Sequence, residues 1–202
     1  MYQQLYNQVK DWIPEKSRVL DLGTGDGAFL EQLVKTKQVI GEGVEKDPEK
    51  VTRCIERGLA VHQGDILEGL DQYGPHTFDY ILLLGTFQEL IDLQHVMQEA
   101  FRVGQRVVVS FSNFAHLRVR LQMMFSGRAP VTKSLPSPWY LTPNIHFFSI
   151  TDFRDFREAI KVREVKNAFF SPRGPVRLWP NLLADQAVSM LEPDGIQITH
   201  RD

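Results

Sequence analysis

The sequence of 202 residues has little cysteine and no long hydrophobic run. Its one cysteine, Cys54, cannot form a disulfide within the chain, so the fold must depend on a packed core, and a reducing compartment is expected. No apolar run reaches the length of about 18 residues that a membrane-spanning helix needs. Residues 1–12 also lack the basic and apolar regions of a signal peptide. We therefore expect a cytoplasmic protein with no membrane partner.

The chain also lacks an excess of positive charge. Lysine and arginine total 23 against 25 aspartate and glutamate residues, which gives a formal net charge of −2. This balance offers no general attraction for nucleic acid, so no nucleic-acid partner is expected. With 43% hydrophobic and 24% charged residues, the composition is that of a globular protein, and the length suits one domain spanning residues 1–202.

Short apolar segments alternate with segments of helical periodicity through the first half of the chain. The segments predicted as strands are 18–22, 39–45, 59–62, 78–84 and 107–111. Because parallel strands need a helical crossover, this alternation predicts a doubly wound, mostly parallel, Rossmann-like α/β sheet, with the nearly continuous apolar segment 78–84 at its centre. Segments 162–170 and 187–191 predict two further strands, which would complete a seven-stranded sheet as an antiparallel edge hairpin.

A glycine-rich turn follows the first predicted strand, at the position where open α/β sheets bind ligands. Its glycines, Gly23, Gly25 and Gly27, let the backbone approach a ligand closely, but they fit NAD and S-adenosylmethionine (SAM) equally. Asp21 discriminates between the two ligands, since its carboxylate would repel a pyrophosphate and suits the ammonium group of SAM. The alternative is that Asp21 only holds the loop by accepting backbone N–H bonds.

Two more acids end the second and third predicted strands. Glu45 lies where a carboxylate accepts hydrogen bonds from both ribose hydroxyls, and Asp65 lies where it would meet the exocyclic amine of adenine. Each has a simpler alternative, Glu45 as a solvent-facing acid and Asp65 as a turn residue. The ordered set of acids favours SAM or S-adenosylhomocysteine as the ligand. We expect the same binding site to include Lys46, Ile66 and Leu84.

After the fifth predicted strand the alternation ends, and the region around 113–150 is predicted to act as a lid or a partner-binding insertion. Its proline-punctuated loop at 127–143 has a length that compact domains reserve for lids and binding surfaces. His116 and His146 are candidate catalytic bases, with a structural role as the alternative. No two histidines have helical ligand spacing with a nearby acid, so no metal is expected. Basic and aromatic residues also alternate in this region, namely Arg118, Arg120, Arg128, Lys133, Trp139 and Tyr140. They would form a surface that binds an anionic substrate or a partner protein. The alternative is that they form a solvated helix face and loop.

Several stretches resemble known families. Residues 18–21, 44–51 and 63–65 resemble class I SAM-dependent methyltransferases in general, whereas the stretches that resemble the methionine biosynthesis protein MetW family are 114–122, 130–136, 139–146 and 180–184. The resemblance covers nearly the whole chain. It implies the class I methyltransferase fold, SAM binding, and a role in methionine biosynthesis with homoserine O-acyltransferase as a physical partner.

The sequence departs from the family pattern at two places. Thr24 stands where the family commonly has cysteine, and Ser112-Asn113 stands where Pro-Asn is expected. Neither departure is expected to abolish SAM binding, because Thr24 would contribute mainly its backbone and the second pair lies beyond the nucleotide acids.

Two functions therefore remain open. The resemblance favours an accessory subunit that binds SAM, acts with or activates homoserine O-acyltransferase, and contacts it through the segment after Ser112. The acids of the nucleotide site equally fit a stand-alone SAM-dependent methyltransferase acting on a small metabolite beneath the loop at 127–143. Methyl transfer depends mainly on alignment of the reactants, so the lack of a base motif does not exclude it. A nicotinamide dehydrogenase is the third alternative.

Overall fold

A computed structural model of the chain describes residues 3–132 and 134–194, so Lys133 of the predicted basic surface and both ends of the chain lie outside the described residues. The helices are α1 (Gln3–Trp12), α2 (Ala28–Lys37), α3 (Pro48–Glu56), α4 (Ile66–Asp71), α5 (Leu93–Val103), α6 (Leu117–Ser126), α7 (Ile150–Ala159) and α8 (Pro180–Leu183). The strands are β1 (Arg18–Leu22), β2 (Ile40–Glu45), β3 (Ala60–Gln63), β4 (Phe78–Leu84), β5 (Gly104–Ser112), β6 (Val162–Ser171), β7 (Gly174–Pro175) and β8 (Gln186–Pro193).

The strands form one sheet in the order β3-β2-β1-β4-β5-β8-β6-β7. Neighbours from β3 to β5 are parallel, whereas β8 pairs antiparallel with β5 and with β6. This order confirms the doubly wound, mostly parallel sheet with antiparallel strands at one edge. The structure adds an eighth strand, β7, which pairs with the end of β6. Two residues carry no hydrophobic periodicity, so the sequence could not predict this strand.

Strand β4 lies between β1 and β5, which confirms its predicted central place. Its side chains alternate between two buried clusters, as the two-residue period of a strand requires. Ile81 and Leu83 pack in one cluster with Phe87 and Phe111. Tyr80 and Leu82 pack in the other, which α1 and α2 cover. Helices therefore bury both faces of the sheet, and the site must lie at an edge where the strands end.

Capping residues decide where two of the helices begin. Asp47 accepts a hydrogen bond of 2.9 Å from the Glu49 N–H at the start of α3, where Pro48 occupies the first helical position. A helix was predicted from about Glu89, but α5 begins at Leu93 after a 3₁₀ turn, because Asp92 accepts a bond of 3.0 Å from the His95 N–H. The correction leaves the residues between β4 and α5 free to line a site.

The long loop predicted at 127–143 follows α6. This helix ends at Gly127, whose φ of 61° lies in the left-handed region that stops a helix. Among the described residues from 128 to 149 there is no helix or strand.

Among the residues that the structure describes, no helix has both the length and the apolar character needed to cross a membrane.

Candidate functional site

The glycine-rich loop joins β1 to α2 at the carboxyl end of the sheet. Backbone N–H groups of Gly23 and Thr24 donate to the Val44 carbonyl at 2.8 and 3.1 Å, which fixes the loop against β2. Gly23 has a φ of 76°, and a β-carbon there would collide with the side chain of Thr86. Gly25 also has a positive φ, but open space surrounds the position of its missing β-carbon. The loop therefore presents bare backbone to the space above it.

Asp21 lies beneath this loop and is only 4% exposed. Its carboxylate accepts a hydrogen bond of 2.8 Å from the Thr24 hydroxyl. Burial raises the pKa of Asp21 to about 6; the Thr24 bond lowers this pKa and the negative charge of Glu45 raises it. The side chain of Thr24 thus holds Asp21, which corrects the expectation that Thr24 contributes mainly its backbone. The contact of Asp21 with a ligand ammonium group stays a prediction.

Glu45 ends β2 and is 6% exposed. Its Oε2 accepts a hydrogen bond of 2.9 Å from the Gly25 N–H, and its Oε1 accepts one of 3.0 Å from the Asp47 N–H. The carboxylate is therefore not a freely solvated acid, and it links the glycine loop to the start of α3. A carboxylate offers about four lone-pair sites, so two remain for a ligand.

A crevice of about 530 Å³ opens above the loop. Six of the predicted site residues line it: Gly23, Gly25, Glu45, Lys46, Asp65 and Ile66. The other three predicted residues do not line it, because Gly27 caps α2, Leu84 packs against a buried cluster and Asp21 is buried in β1. Four carboxylates face two lysines around the crevice, namely Glu45, Asp65, Glu89 and Asp92 against Lys46 and Lys50. The walls therefore carry more negative than positive charge.

Asp65 combines a turn role with a place in the crevice wall. Its Oδ1 accepts a hydrogen bond of 3.1 Å from the Leu67 N–H, and its own N–H donates to Glu68, so the two residues form a capping box at the start of α4. Asp65 is nevertheless exposed at the rim of the crevice. The turn alternative and the binding role are therefore compatible.

The segment between β4 and α5 supplies a further wall of the crevice. The sequence predicts that residues 85–88, after the central strand, open on the ligand side of the sheet, but it does not single out residues 89–92. Thr86, Glu89, Leu90, Ile91 and Asp92 all line it. The position of this segment in the sequence indicates such a role. It follows the central strand and therefore starts at the same edge of the sheet as the glycine loop. Burial raises the pKa of Glu89, whereas the charges of Lys46 and Lys50 lower it. These three ionisable groups thus influence one another within the crevice.

Comparison with known proteins decides the family. Residues 3–191 match the family described as methionine biosynthesis protein MetW. The chain belongs to the MetW family. A curated relative, the bifunctional methionine biosynthesis protein MetXA/MetW of Rhodopirellula baltica, is 32% identical over 189 residues, which are 87% of this chain. The chain spans only 30% of the length of that relative.

Solved structures of SAM-dependent methyltransferases share the fold. One from Thermotoga maritima superposes with a TM-score of 0.66 at 18% identity and covers 95% of this chain and 88% of its own. Another, from Archaeoglobus fulgidus, gives 0.68 at 16% identity and covers 95% and 94% of the two chains. At this identity the likeness establishes the class I methyltransferase fold and no activity.

The second departure from the MetW pattern has a structural role in this chain. The Ser112 hydroxyl donates to the Ser134 carbonyl at 3.0 Å, which ties the end of β5 to the long loop. Asn113 is fully buried, and its Nδ2 donates to the carbonyls of Asn181 and Ala184 at 3.1 and 2.8 Å. These contacts join three distant parts of the chain on one side of the sheet.

The long loop covers a smaller cavity of about 200 Å³ that shares Glu89 with the crevice. Its walls are mostly polar and include Ser110, Ser134, Ser137, Thr142, Asn144 and Gln186. Gln186 is 2% exposed and its Oε1 has no hydrogen-bond partner among the described residues. Gln88 frames the cavity, since its Oε1 accepts from the Ser112 N–H and its Nε2 donates to the His146 carbonyl. A small polar molecule would fit beside the crevice here.

The two candidate bases have structural contacts. His116 caps α6 by accepting a bond of 3.1 Å at Nδ1 from the Arg118 N–H, and the same nitrogen lies 3.7 Å from Asp185. His146 holds Nε2 2.9 Å from the Leu90 carbonyl. Neither histidine lines the crevice or the adjoining cavity. Their catalytic role stays a prediction, and the geometry favours the structural alternative.

Proposed function

We propose that the crevice binds SAM and S-adenosylhomocysteine. The observation that carries this proposal is the excess of carboxylates around the crevice at the strand ends, next to the exposed backbone of the glycine loop. Such walls suit a nucleoside that carries an ammonium and a sulfonium, and they oppose a pyrophosphate. When bound, SAM would supply an electrophilic methyl group on sulfur.

Four of the predicted residues then have a defined task. The two lone-pair sites of Glu45 not used by backbone N–H groups would accept the ribose hydroxyls. Asp65 would accept from the adenine amine at the rim, and Ile66 would pack beside the base. Asp21, once ionised, would attract the ammonium group through the glycine loop. These assignments depend on charge and on free acceptor capacity.

Calorimetric titration with SAM, S-adenosylhomocysteine and NAD tests the ligand. We expect binding of the first two and none of NAD. Glu45→Ala should weaken SAM binding by about 1–3 kcal/mol, the scale for losing hydrogen bonds to a charged acceptor. Glu56→Ala, an exposed acid at the end of α3, is the matched control. Unchanged affinity in Glu45→Ala would remove its ribose role, and preference for NAD would refute the whole assignment.

We further propose that the chain acts with homoserine O-acyltransferase. The fusion named MetXA/MetW supports this partner, because a MetW-like segment there shares one chain with a MetXA segment. The region after β5 also exposes large apolar side chains, with Phe125 78%, Trp139 72% and Tyr140 67% exposed. Trp139 and Tyr140 also contact each other, with ring centroids 5.8 Å apart, and exposed aromatic side chains of this kind are enriched at interaction surfaces. We assign the contact with the acyltransferase to α6 and the following loop.

Mixing the chain with purified homoserine O-acyltransferase tests this partner. Co-elution on gel filtration and a changed acylation rate are expected, and both should respond to SAM if the subunit senses it. Trp139→Ser combined with Phe125→Ser should abolish co-elution, whereas Ile55→Ser, which replaces a side chain 62% exposed on α3, should not. Separate elution of the two wild-type proteins at micromolar concentrations would contradict the proposal.

The polar cavity beside the crevice supports a second candidate, a methyltransferase acting on a small metabolite. A bound acceptor there would lie next to Glu89, which faces both spaces. The reaction would need little beyond alignment of the acceptor with the methyl group. Production of S-adenosylhomocysteine with a defined acceptor would establish it, and binding of SAM without turnover across a broad acceptor panel would favour the accessory role.

A further inference from the structure

A second large cavity, of about 530 Å³, lies between the antiparallel half of the sheet and helices α7 and α8. It shares no lining residue with the crevice. Its floor is apolar and includes Phe111, Phe153 and Phe169, whereas three arginines also line it: Arg120, Arg154 and Arg157. The volume lies within the range of small-molecule sites, which combine apolar walls with a few placed polar groups.

Arg157 is the most enclosed of the three arginines, with a side chain 14% exposed. Its guanidinium lies over the Phe153 ring at 5.9 Å from the centroid. The carboxylate of Glu164 lies 3.7 Å from Nη2, and the buried Nε has no hydrogen-bond partner among the described residues. A guanidinium withdrawn from water normally has a close acceptor, because an unpaired buried charge is costly. Arg157 therefore retains hydrogen-bonding capacity that the chain does not use.

Among the described residues, Glu164 is the one carboxylate that lines this cavity, so its charge offsets only one of the three guanidinium charges. Its Oε1 accepts a hydrogen bond of 2.5 Å from the Ser189 hydroxyl, and its Oε2 accepts one of 2.8 Å from Asn167 Nδ2. Both oxygens thus have closer partners than Arg157. Glu164 is thus an ion-pair partner of Arg157 at 3.7 Å but leaves the N–H donors of Arg157 available to a ligand.

The other two arginines add to the positive charge. Arg120 donates through Nε to the Ala115 carbonyl at 2.6 Å, and its two terminal nitrogens have no bond among the described residues. Arg154 lies 3.6 Å from Asp155, but both side chains are more than half exposed, so solvent screens this pair. Three guanidinium groups against one carboxylate make the lining strongly positive. Arginine binds carboxylate and phosphate groups through paired N–H donors.

We propose that this cavity binds a small molecule that carries a carboxylate or phosphate group on an apolar body. The anionic group meets the three guanidinium groups, Arg157 above all, and the apolar body packs on the phenylalanine floor. Asn181, which lines the same cavity and has a buried Oδ1 without a partner, offers an acceptor for a hydroxyl or amine of the ligand. The site is distinct from the crevice, so both ligands bind at the same time.

Calorimetry on the full chain with simple probes tests the site. Phenyl phosphate and phenylacetate represent the two anions, and phenol and phenylacetamide are their neutral counterparts. We expect at least one anion to bind ten times or more tightly than its neutral counterpart, and the comparison of the two anions identifies the preferred group. Equal or undetectable binding of anions and neutral counterparts would overturn the proposal.

Variants locate the binding to this cavity. Arg157→Gln and Arg154→Gln should each weaken the preferred anion at least fivefold, whereas Arg173→Gln, which removes an exposed arginine of the β6–β7 turn, should leave it unchanged. Arg154→Gln alters an exposed side chain, so it keeps the test decisive if Arg157→Gln unfolds. Saturating SAM should not compete with the anion. Competition, or equal loss in the Arg173 control, would place the anion elsewhere and refute the site.

Discussion

Ionisation of Asp21 is expected to lower the stability of the fold near neutral pH. Burial raises the pKa of Asp21 from 3.8 to about 6 in the folded chain. Between these two values the folded state binds more protons than the unfolded state, so the free energy of unfolding falls as the pH rises. One pKa unit corresponds to about 1.4 kcal/mol. The ionised Asp21 carboxylate therefore lowers the free energy of unfolding by about 3 kcal/mol, and the whole of this loss is present above pH 6.

Asp21→Asn removes this titration and keeps an oxygen that accepts from the Thr24 hydroxyl. We expect the stability of the variant relative to the wild type to increase by up to about 3 kcal/mol between pH 4 and pH 7. Urea unfolding followed by circular dichroism at several pH values measures it. Asp11→Asn, an exposed change on α1, should show no such trend. A relative stability that is constant with pH, or that declines as the pH rises, would refute the reasoning.

The same variant separates the two roles considered for Asp21. If the ionised carboxylate attracts the ammonium group of SAM, Asp21→Asn stabilises the chain at pH 7 but weakens SAM binding, and the wild-type affinity rises as the pH increases through about 6. If Asp21 only holds the loop, the affinity changes no more than in Asp11→Asn. Opposite signs for stability and affinity are thus the signature of a functional acid kept at a cost to the fold.

Three further predictions concern the contacts around the site. Thr24→Val, which removes the hydroxyl that lowers the pKa of Asp21, should raise that pKa further, measurable by NMR titration of the carboxyl carbon; an unchanged pKa would contradict the role of the bond. Gly23→Ala should cost about 1–3 kcal/mol in urea unfolding, because its φ of 76° disfavours a β-carbon that would also strike Thr86, and Thr86→Ser in the same chain should recover the steric part only. Gln88→Leu should cost about 1–3 kcal/mol by leaving the Ser112 N–H and the His146 carbonyl unpaired; a neutral effect would show that these bonds contribute nothing.

Hydrophobic periodicity, together with the polar and turn residues that bound each segment, predicted most of the sheet. Segment 78–84 matches β4 residue for residue, because a strand buried on both faces has a continuous apolar pattern bounded by polar residues. The late strands were also predicted, and their antiparallel pairing is confirmed. The beginning of α5 was misplaced because Asp92 was not recognised as the capping residue. Such errors concern single side-chain bonds, which periodicity does not detect.

The sequence predicted two acidic residues that line the crevice, but it did not predict all of the residues that form its walls. Glycines and acids at strand ends have fixed positions relative to the fold, so Glu45 and Asp65 could be assigned to the crevice from their order alone. Asp21 is buried as part of β1, and its bond with Thr24 is marked by no pattern in the sequence. Likewise, the arginines of the second cavity come from α6 and α7, which are separated by the long loop and meet only in the folded chain.

The topology divides these features between two halves of the sheet. The crevice lies at the carboxyl ends of the parallel strands, where the order runs outward from β1 to β2 on one side and to β4 on the other. The arginine cavity and the exposed aromatic side chains belong to the region after β5, where β8 and β6 extend the sheet antiparallel. Because the two cavities share no residue, substitutions in one half should alter one ligand only. Binding in the crevice would therefore reach the other half only through the segments that connect the two, and among these links are the bonds of Gln88 with Ser112 and His146 and the bond of His146 with Leu90, a residue of the crevice wall.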